Sequence, residues 1–337
     1  MSSAPPSPHP PPMGTLVALL TAVLMGGVLS VQSQVNGALA ARMGGGAGGG
    51  INAALVSFSS GWLLLTAMCL RPGQRRGLAE VWSALRSGRL RPWYAAGGVI
   101  GAYLVATQGL TVATIGVALF SLAVVAGQSV SGLWVDHIGL GPAGPKPVSA
   151  TRSVGAMLAV AAVALSVSDR LAGASALPVA ALALTALPFV AGVLAAGQQA
   201  LNGHVAVVGG PFAAAWVNFS VGTVVLVAVA VVVAVTHPAS EPLPAPWGGE
   251  GWLYVGGAAG VVFVSAIALL VRYLGVLLLT LGTVSGQVLG AVALDFFVAD
   301  TAAGAITLTG AALTLVGAGL ATAGDRGGRR RGAAHPG

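Results

Sequence analysis

Long apolar segments recur along almost the whole chain and constrain its fold more than any other feature. They lie at about residues 13–40, 51–70, 93–111, 114–135, 150–168, 178–203, 211–236, 252–271, 274–298 and 303–323. As a helix, an apolar run of about 18 or more residues crosses roughly 30 Å of hydrocarbon. Only 7% of the residues are charged, whereas soluble domains carry about 25% and need them to cover their surface. We therefore predict an all-α integral membrane protein of about ten transmembrane helices.

The basic residues predict how these helices are oriented. With an even number of helices, thirteen of the 15 Lys and Arg residues fall on the side of both termini, and only Arg42 and Arg170 fall on the other. An excess of Lys and Arg marks cytoplasmic loops. We expect a bacterial inner-membrane protein with both termini in the cytoplasm. The net charge of +7 does not indicate nucleic-acid binding, because the basic residues lie in short clusters between apolar runs.

Three polar segments flank or interrupt the helices. Residues 1–12 are rich in proline and are expected to be disordered. Residues 324–337 form a basic tail that we expect in the cytoplasm. Residues 71–92 fit either a short amphipathic helix at the membrane surface, built around Val81, Trp82 and Leu85, or a solvated basic loop. The sequence leaves these two alternatives open.

The second half of the chain repeats the motifs of the first half in the same order. In the first pair, GVLSVQSQVNGAL near residue 27 matches GVLAAGQQALNGHV near residue 192, so that Gln32 and Asn36 align with Gln198 and Asn202. The further pairs are SFSSG (57–61) with NFSVG (218–222), WYAAGGVIG (from 93) with WLYVGGAAG (from 252), and AGQSVSGLWVD (126–136) with SGQVLGAVALD (285–295). We predict two structural repeats, at residues 13–170 and 171–323.

The number of helices in each repeat determines how the repeats are related. Each repeat holds five predicted helices. Because five is odd, the second repeat must enter the membrane from the opposite side. The sequence therefore predicts a 5+5 inverted repeat, whose halves can exchange conformations around a central site, which is the physical basis of alternating access.

At these motifs the chain resembles the drug/metabolite transporter superfamily, and within it the YdcZ-type branch of bacterial inner-membrane exporters. The resemblance rests on the Q-x-x-x-N-G ends of the first and sixth helices, the FSSG and NFSVG segments, and the GQ…D pattern of the fourth and ninth helices. It covers about residues 14–323. It implies a ten-helix bundle with a central cavity and does not supply a substrate.

Amide side chains inside the predicted helices are the candidates for solute binding. Gln32 and Asn36 are four residues apart on one helix face, and Gln198 and Asn202 repeat that spacing. If the two pairs face each other, they offer donors and acceptors without net charge. The alternative is that these amides only hold helices together. Gln128 and Gln287 lie mid-helix and are further cavity candidates, while Gln108, Asn52 and Asn218 are weaker ones.

Asp136 and Asp295 are acidic residues near the apolar spans. Each lies close to a helix end, so a solvated cap or a gate-lining charge is favoured over a central coupling proton. The histidines and the single cysteine form no cluster with metal-ligand spacing, so no metal and no cofactor is expected. Convergent acid and base groups are not evident either, and an enzyme is disfavoured.

The sequence predicts a secondary transporter, with export as the favoured direction, for a small polar or amphipathic metabolite or drug. The alternative is a membrane subunit or scaffold without transport of its own. The expected partners are the solute and the lipid bilayer, with no nucleic acid. Whether the chain works alone or as a homodimer is left open.

Overall fold

The computed structural model describes residues 14–142, 144–145, 179–236 and 249–297, with single residues and short pieces between 150 and 165 and between 308 and 316. The helices are α1 (Thr15–Arg42), α2 (Gly46–Met68), α3 (Pro72–Arg86), α4 (Gly97–His137), α5 (Val179–Thr236) and α6 (Gly256–Phe297). Two short 3-10 helices, η1 (Pro92–Ala96) and η2 (Gly251–Tyr254), precede α4 and α6. No strand occurs in the described part of the chain.

The long helices α4 and α5 each consist of two arms that meet at a glycine. Gly116 in α4 has a φ of 77°, and Gly210 in α5 has a φ of 83°. A left-handed φ of this kind favours glycine because it carries no Cβ. The helical ladder breaks there, and Pro211 then starts the second arm of α5. The arms span residues 97–115 and 117–137 in α4, and residues 179–209 and 211–236 in α5.

Helix α6 also reverses direction, as its contacts with α1 show. Gly256 and Gly260 lie beside Asn36 and Gln32, so the first arm runs antiparallel to α1. The second arm includes Leu279–Leu294, and there the order changes, because Gly282, Gly286 and Gly290 lie beside Leu19, Val23 and Gly27 in turn. The second arm therefore runs parallel to α1.

The structure confirms the all-α membrane fold. Among the described residues, five helices are long and apolar enough to cross a membrane, and two of them are the two-armed helices α4 and α5. A shorter apolar helix covers Leu279–Leu294. The predicted helices at 150–168 and 303–323 lie mostly outside the described residues, and the two tails lie wholly outside them.

The first helices of the two repeats are antiparallel, as an inverted repeat requires. The first arm of α4 runs parallel to α1, because Gln108 meets Asn36 and Val112 meets Gly37. The same arm runs antiparallel to the first arm of α5, with Gly97 beside Asn202 and Gly101 beside Gln198. Helix α1 and the first arm of α5 therefore point in opposite directions.

Small residues allow the two repeats to approach each other closely at two equivalent crossings. At one crossing α1 packs on the second arm of α6, where a Cβ on Gly26 would overlap the backbone at Gly286 and Gln287. At the other, the first arm of α5 packs on the second arm of α4, where a Cβ on Gly192 would overlap the backbone at Val124. Close backbone packing is the main source of helix association in lipid, where burial of apolar side chains adds little.

Helix α3 decides between the two alternatives for residues 71–92. It is a 15-residue amphipathic helix, which confirms the predicted helix and rules out the loop. Its buried residues Val81 and Ala84 pack on α5, where Gly77 lies against Gly209. On the opposite face, Trp82 is exposed and lies 4.9 Å below the guanidinium carbon of Arg86.

Candidate functional site

The two amide pairs predicted from the repeat lie at opposite ends of the bundle. Asn36 and Gln32 lie against Gly256 and Gly260, at the end where Arg42 pairs with Glu250. Asn202 and Gln198 lie against Gly97 and Gly101, at the end where His204 stacks on Tyr94. We call these the Arg42 end and the His204 end. The expectation that the pairs face each other is wrong, because the inversion of the repeats sends their equivalent helix ends to opposite sides.

At the Arg42 end the amides bond to one another, while Asn36 Oδ1 has no partner among the described residues. Asn36 Nδ2 donates to Gln108 Oε1 at 2.6 Å, and Gln108 Nε2 donates to Ser33 Oγ at 3.0 Å. The Ser33 hydroxyl in turn donates to the carbonyl of Leu29 at 2.8 Å. Ser33, Asn36 and Gln108, which we call the amide cluster, are completely buried. This cluster leaves no room for a solute.

Towards the His204 end the equivalent region contains a small cavity. Its volume is about 20 Å³, enough for one water molecule. Four amides line this amide cavity: Gln128, Gln198, Gln199 and Asn202. The remaining lining is apolar and consists of Leu29, Leu104, Ala195, Phe263, Val264, Ile267 and Ala268. We call the amides, which α4 and α5 contribute, the polar wall, and the residues of α6, which are all apolar, the apolar wall; both repeats contribute to the cavity.

The polar wall offers hydrogen bonds without net charge. None of the described residues that line the amide cavity is ionisable. Asn202 Oδ1 accepts a hydrogen bond from Asn218 Nδ2 at 3.2 Å, which fixes the orientation of its amide. The buried Gln199 Oε1 has no hydrogen-bond partner among the described residues. A buried acceptor without a donor costs free energy, so this wall favours a ligand that supplies one.

Two phenylalanines separate the amide cavity from the amide pair at the Arg42 end. The ring centroids of Phe58 on α2 and Phe219 on α5 are 4.8 Å apart. Phe58 lies 3.3 Å from the position of a Cβ on Gly101, beside Gln198. Phe219 lies 3.0 Å from the corresponding position on Gly260, beside Gln32. The pair therefore fills the centre of the bundle with apolar rings.

Contacts between the repeats close both ends. At the Arg42 end, Arg42 Nε donates to Glu250 Oε1 at 2.8 Å. At the other end, the ring centroids of His204 and Tyr94 are 4.4 Å apart, and His204 Nε2 lies 2.9 Å from the carbonyl of Leu140. Each of these contacts joins one repeat to the other, so opening either end requires the repeats to move apart there.

Gln287 and Asp136 do not line the amide cavity. Gln287 is 1% exposed and packs against α1, where its carbonyl accepts a hydrogen bond from Ser30 at 2.7 Å. Asp136 is only 4% exposed, so the expected solvated cap is wrong. The side chain of Asp295 lies outside the described residues. The described residues contain no group of three side chains suited to a metal ion.

Three residues at the site are weak candidates, or no candidates, in the prediction from sequence. Gln199 lines the cavity beside Gln198, Asn218 orients Asn202, and Gln108 completes the amide cluster. The repeat itself carries a usable signal, since Asn218 aligns with Ser57 next to the matched phenylalanines. Gln108 has no amide counterpart in the second repeat, so the comparison of repeats gave it no support.

Comparison with known proteins identifies the family. The chain matches the family described as "Putative inner membrane exporter, YdcZ" over residues 17–165 and 183–320. A solved crystal structure with 18% sequence identity superposes with a TM-score of 0.56, covering 92% of this chain and 96% of its own, which shows a shared fold. A search of curated proteins finds no match. Since the family match extends over most of both repeats, the chain belongs to the YdcZ family of inner-membrane exporters within the drug/metabolite transporter group.

Proposed function

We propose that the protein is a secondary carrier that exports a small polar or amphipathic solute by alternating access. The observation that carries this proposal is the amide cavity, which lies deep in the bundle and is lined by both inverted repeats. A site shared by two such repeats can face one side of the membrane or the other when the repeats rock. The family's description as exporters supports the same direction of transport.

The lining of the cavity supports the class of solute. Amides bind neutral hydrogen-bonding groups with both donors and acceptors. The apolar wall, with Phe263, Val264 and Ile267, suits an apolar surface. A cavity of about 20 Å³ holds no metabolite, so the solute enters a conformation in which one end has opened. Rocking of the repeats, with contacts at Arg42–Glu250 or His204–Tyr94 released in turn, provides that opening.

The direction of opening follows from the charge distribution of the chain. With both termini in the cytoplasm, the His204 end is cytoplasmic and the Arg42 end faces outwards. The amide cavity then lies towards the cytoplasmic half, where an exporter must collect its solute. The sequence contains no nucleotide-binding motif, so we assign the driving force to solute or ion gradients.

A non-transporting membrane subunit is the alternative from a different class. It would also have buried amides, but these would serve only helix packing and would never meet water. Cysteine labelling distinguishes the two roles in a Cys69→Ala background, since Cys69 is the only cysteine. The variants are Gln198→Cys and Asn202→Cys, with Gln287→Cys as the matched control because Gln287 lies outside the cavity.

The carrier predicts a specific labelling pattern. A membrane-impermeant methanethiosulfonate reagent applied from the cytoplasmic side should label positions 198 and 202 and leave position 287 unlabelled. Equal protection of all three positions would favour the scaffold. Transport itself is tested by comparing extracellular metabolites of a deletion strain and an overexpressing strain, followed by counterflow of each candidate in proteoliposomes. Absence of counterflow for every candidate solute would overturn the carrier.

A further inference from the structure

The repeat alignment relates the amide cavity to a filled position in the other repeat. Gly97, Gly101 and Gln128 align with Gly256, Gly260 and Gln287, all at an offset of 159 residues. At this offset Gln108 aligns with Ile267, because 267 − 108 = 159. In the first helices, where the offset is 166, Ser33 and Asn36 align with Gln199 and Asn202. The three residues of the amide cluster thus have three equivalents in the second repeat, and all three line the cavity.

The same space is occupied differently in the two repeats. In the first repeat the carboxamide of Gln108 accepts from Asn36 Nδ2 and donates to Ser33 Oγ. In the second repeat Ile267 offers no polar group. The cavity lies there instead, and the buried Gln199 Oε1 has no partner among the described residues. The carboxamide that joins Asn36 to Ser33 therefore has no counterpart at the position of Ile267, and a second amide, Gln199, stands where the first repeat has Ser33.

We propose that the amide cavity binds a carboxamide group of the solute, in the place that Gln108 fills in the first repeat. This inference rests on the proposed function and specifies its substrate class as neutral amides, including amide-bearing metabolites and drugs. The N–H of the solute donates to Gln199 Oε1, while the carbonyl of the solute accepts a hydrogen bond from an amide N–H of the polar wall. The apolar part of the solute lies against Phe263, Val264 and Ile267.

The chemistry of the cavity disfavours charged analogues of the same shape. A carboxylate has two acceptor oxygens and no donor, so it leaves Gln199 Oε1 unpaired and brings a charge among described lining residues that carry no counter-charge. Burial of an unpaired ion is far more costly than burial of a neutral hydrogen-bonding group. A site built for one hydrogen-bonding pattern rejects an analogue lacking it. The cavity should therefore distinguish an amide from the isosteric acid.

The test is a binding measurement on the full chain in lipid nanodiscs, and it does not depend on transport. The probes are 4-fluorobenzamide and the isosteric 4-fluorobenzoate. Their binding is measured by ¹⁹F NMR line broadening, and empty nanodiscs are the control for partition into lipid. We expect saturable broadening of the 4-fluorobenzamide signal. Its affinity should be at least about tenfold higher than that of 4-fluorobenzoate. Equal affinity for both probes, or no binding of the amide, would overturn the proposal.

A substitution in the apolar wall tests whether the site is the one assigned. Ile267→Gln supplies the missing carboxamide from the protein itself and should weaken binding of 4-fluorobenzamide by at least about tenfold, because the ligand's place is then taken. Ile267→Leu is the matched control and should change the affinity by less than about threefold, since it conserves volume and polarity. Thermal unfolding confirms that both variants are folded. Unchanged binding by Ile267→Gln would overturn the proposal.

The outcomes separate this proposal from the function on which it rests. A protein that carries other solutes in proteoliposomes but does not bind the amide contradicts only the substrate class. A protein that binds the amide as described, yet shows no counterflow of any solute, contradicts only the carrier.

Discussion

Phe58 and Phe219 are equivalent residues of the two repeats, and their rings contact each other at a centroid distance of 4.8 Å. A residue can touch its own counterpart in this way only close to the pseudo-two-fold axis. Each ring also lies against glycines, with Phe58 beside Gly222 and Phe219 beside Gly61. The axis therefore passes through a tightly packed apolar contact between α2 and the second arm of α5.

This contact predicts an energetic coupling between the two phenylalanines. Phe58→Leu and Phe219→Leu should each destabilise the protein, and the double variant should lose less than the sum. The expected coupling is about 0.5–1.5 kcal/mol, typical of an aromatic pair. The measurement is a double-mutant cycle of unfolding in detergent. Phe58→Leu with Phe120→Leu is the control, because Phe120 belongs to a separate core cluster and should be additive.

The glycine crossings predict opposite effects of two substitutions on one helix. Gly192→Ala places a methyl group against the backbone of Val124 and should destabilise the protein by about 1–3 kcal/mol. Gly197→Ala, five residues further along α5, meets no atom within 4 Å and should be neutral or stabilising. The readout is the midpoint of thermal unfolding followed by size-exclusion chromatography. Equal midpoints for the two variants would contradict the crossing.

The amide cluster predicts that Asn36 and Asn202 have different roles despite their alignment. Asn36→Ala leaves the buried Gln108 Oε1 without its donor and should cost about 1–3 kcal/mol of stability. It should leave the KM for transport unchanged. Asn202→Ala should instead raise KM, because it removes part of the polar wall. Asn52→Ala is the control, since Asn52 is half-buried and belongs to neither site.

The ion pair at the Arg42 end should contribute little to the stability of the protein, but it lies where the two repeats are expected to separate during transport. Arg42 and Glu250 are 58% and 31% exposed, and exposed pairs contribute at most about 1 kcal/mol, so Arg42→Ala should barely change stability. In a Cys69→Ala background, however, linking Arg42→Cys to Glu250→Cys with a reducible bifunctional reagent should block transport. Reduction should restore it. Full transport by the cross-linked protein would show that the repeats do not separate at this end.

The sequence predicts the membrane class, the repeat and its inversion, because apolar length and the order of motifs record them directly. It also predicts Gln128, Gln198 and Asn202, which line the cavity. The prediction that the two amide pairs face each other is wrong. A hydropathy pattern alone does not show at which end of the bundle a residue lies, and the inversion of the repeats places equivalent helix ends on opposite sides. Rotation of helices about their axes is also invisible, because lipid-facing and core-facing surfaces are both apolar. For this reason the sequence does not show that Gln128 lines the cavity whereas its aligned counterpart Gln287 does not.

The Ser30 hydroxyl donates to the backbone carbonyl of Gln287, 257 positions away in the chain. This separation has a consequence for assembly of the protein during synthesis. Helix α1 leaves the ribosome first, but the second arm of α6, which packs on it, is synthesised close to the end of translation. Until then α1 has no permanent neighbour on that face and must wait in the lipid or beside the insertion machinery. Chains truncated before residue 279 should therefore be targets for membrane proteases, however well their own helices insert.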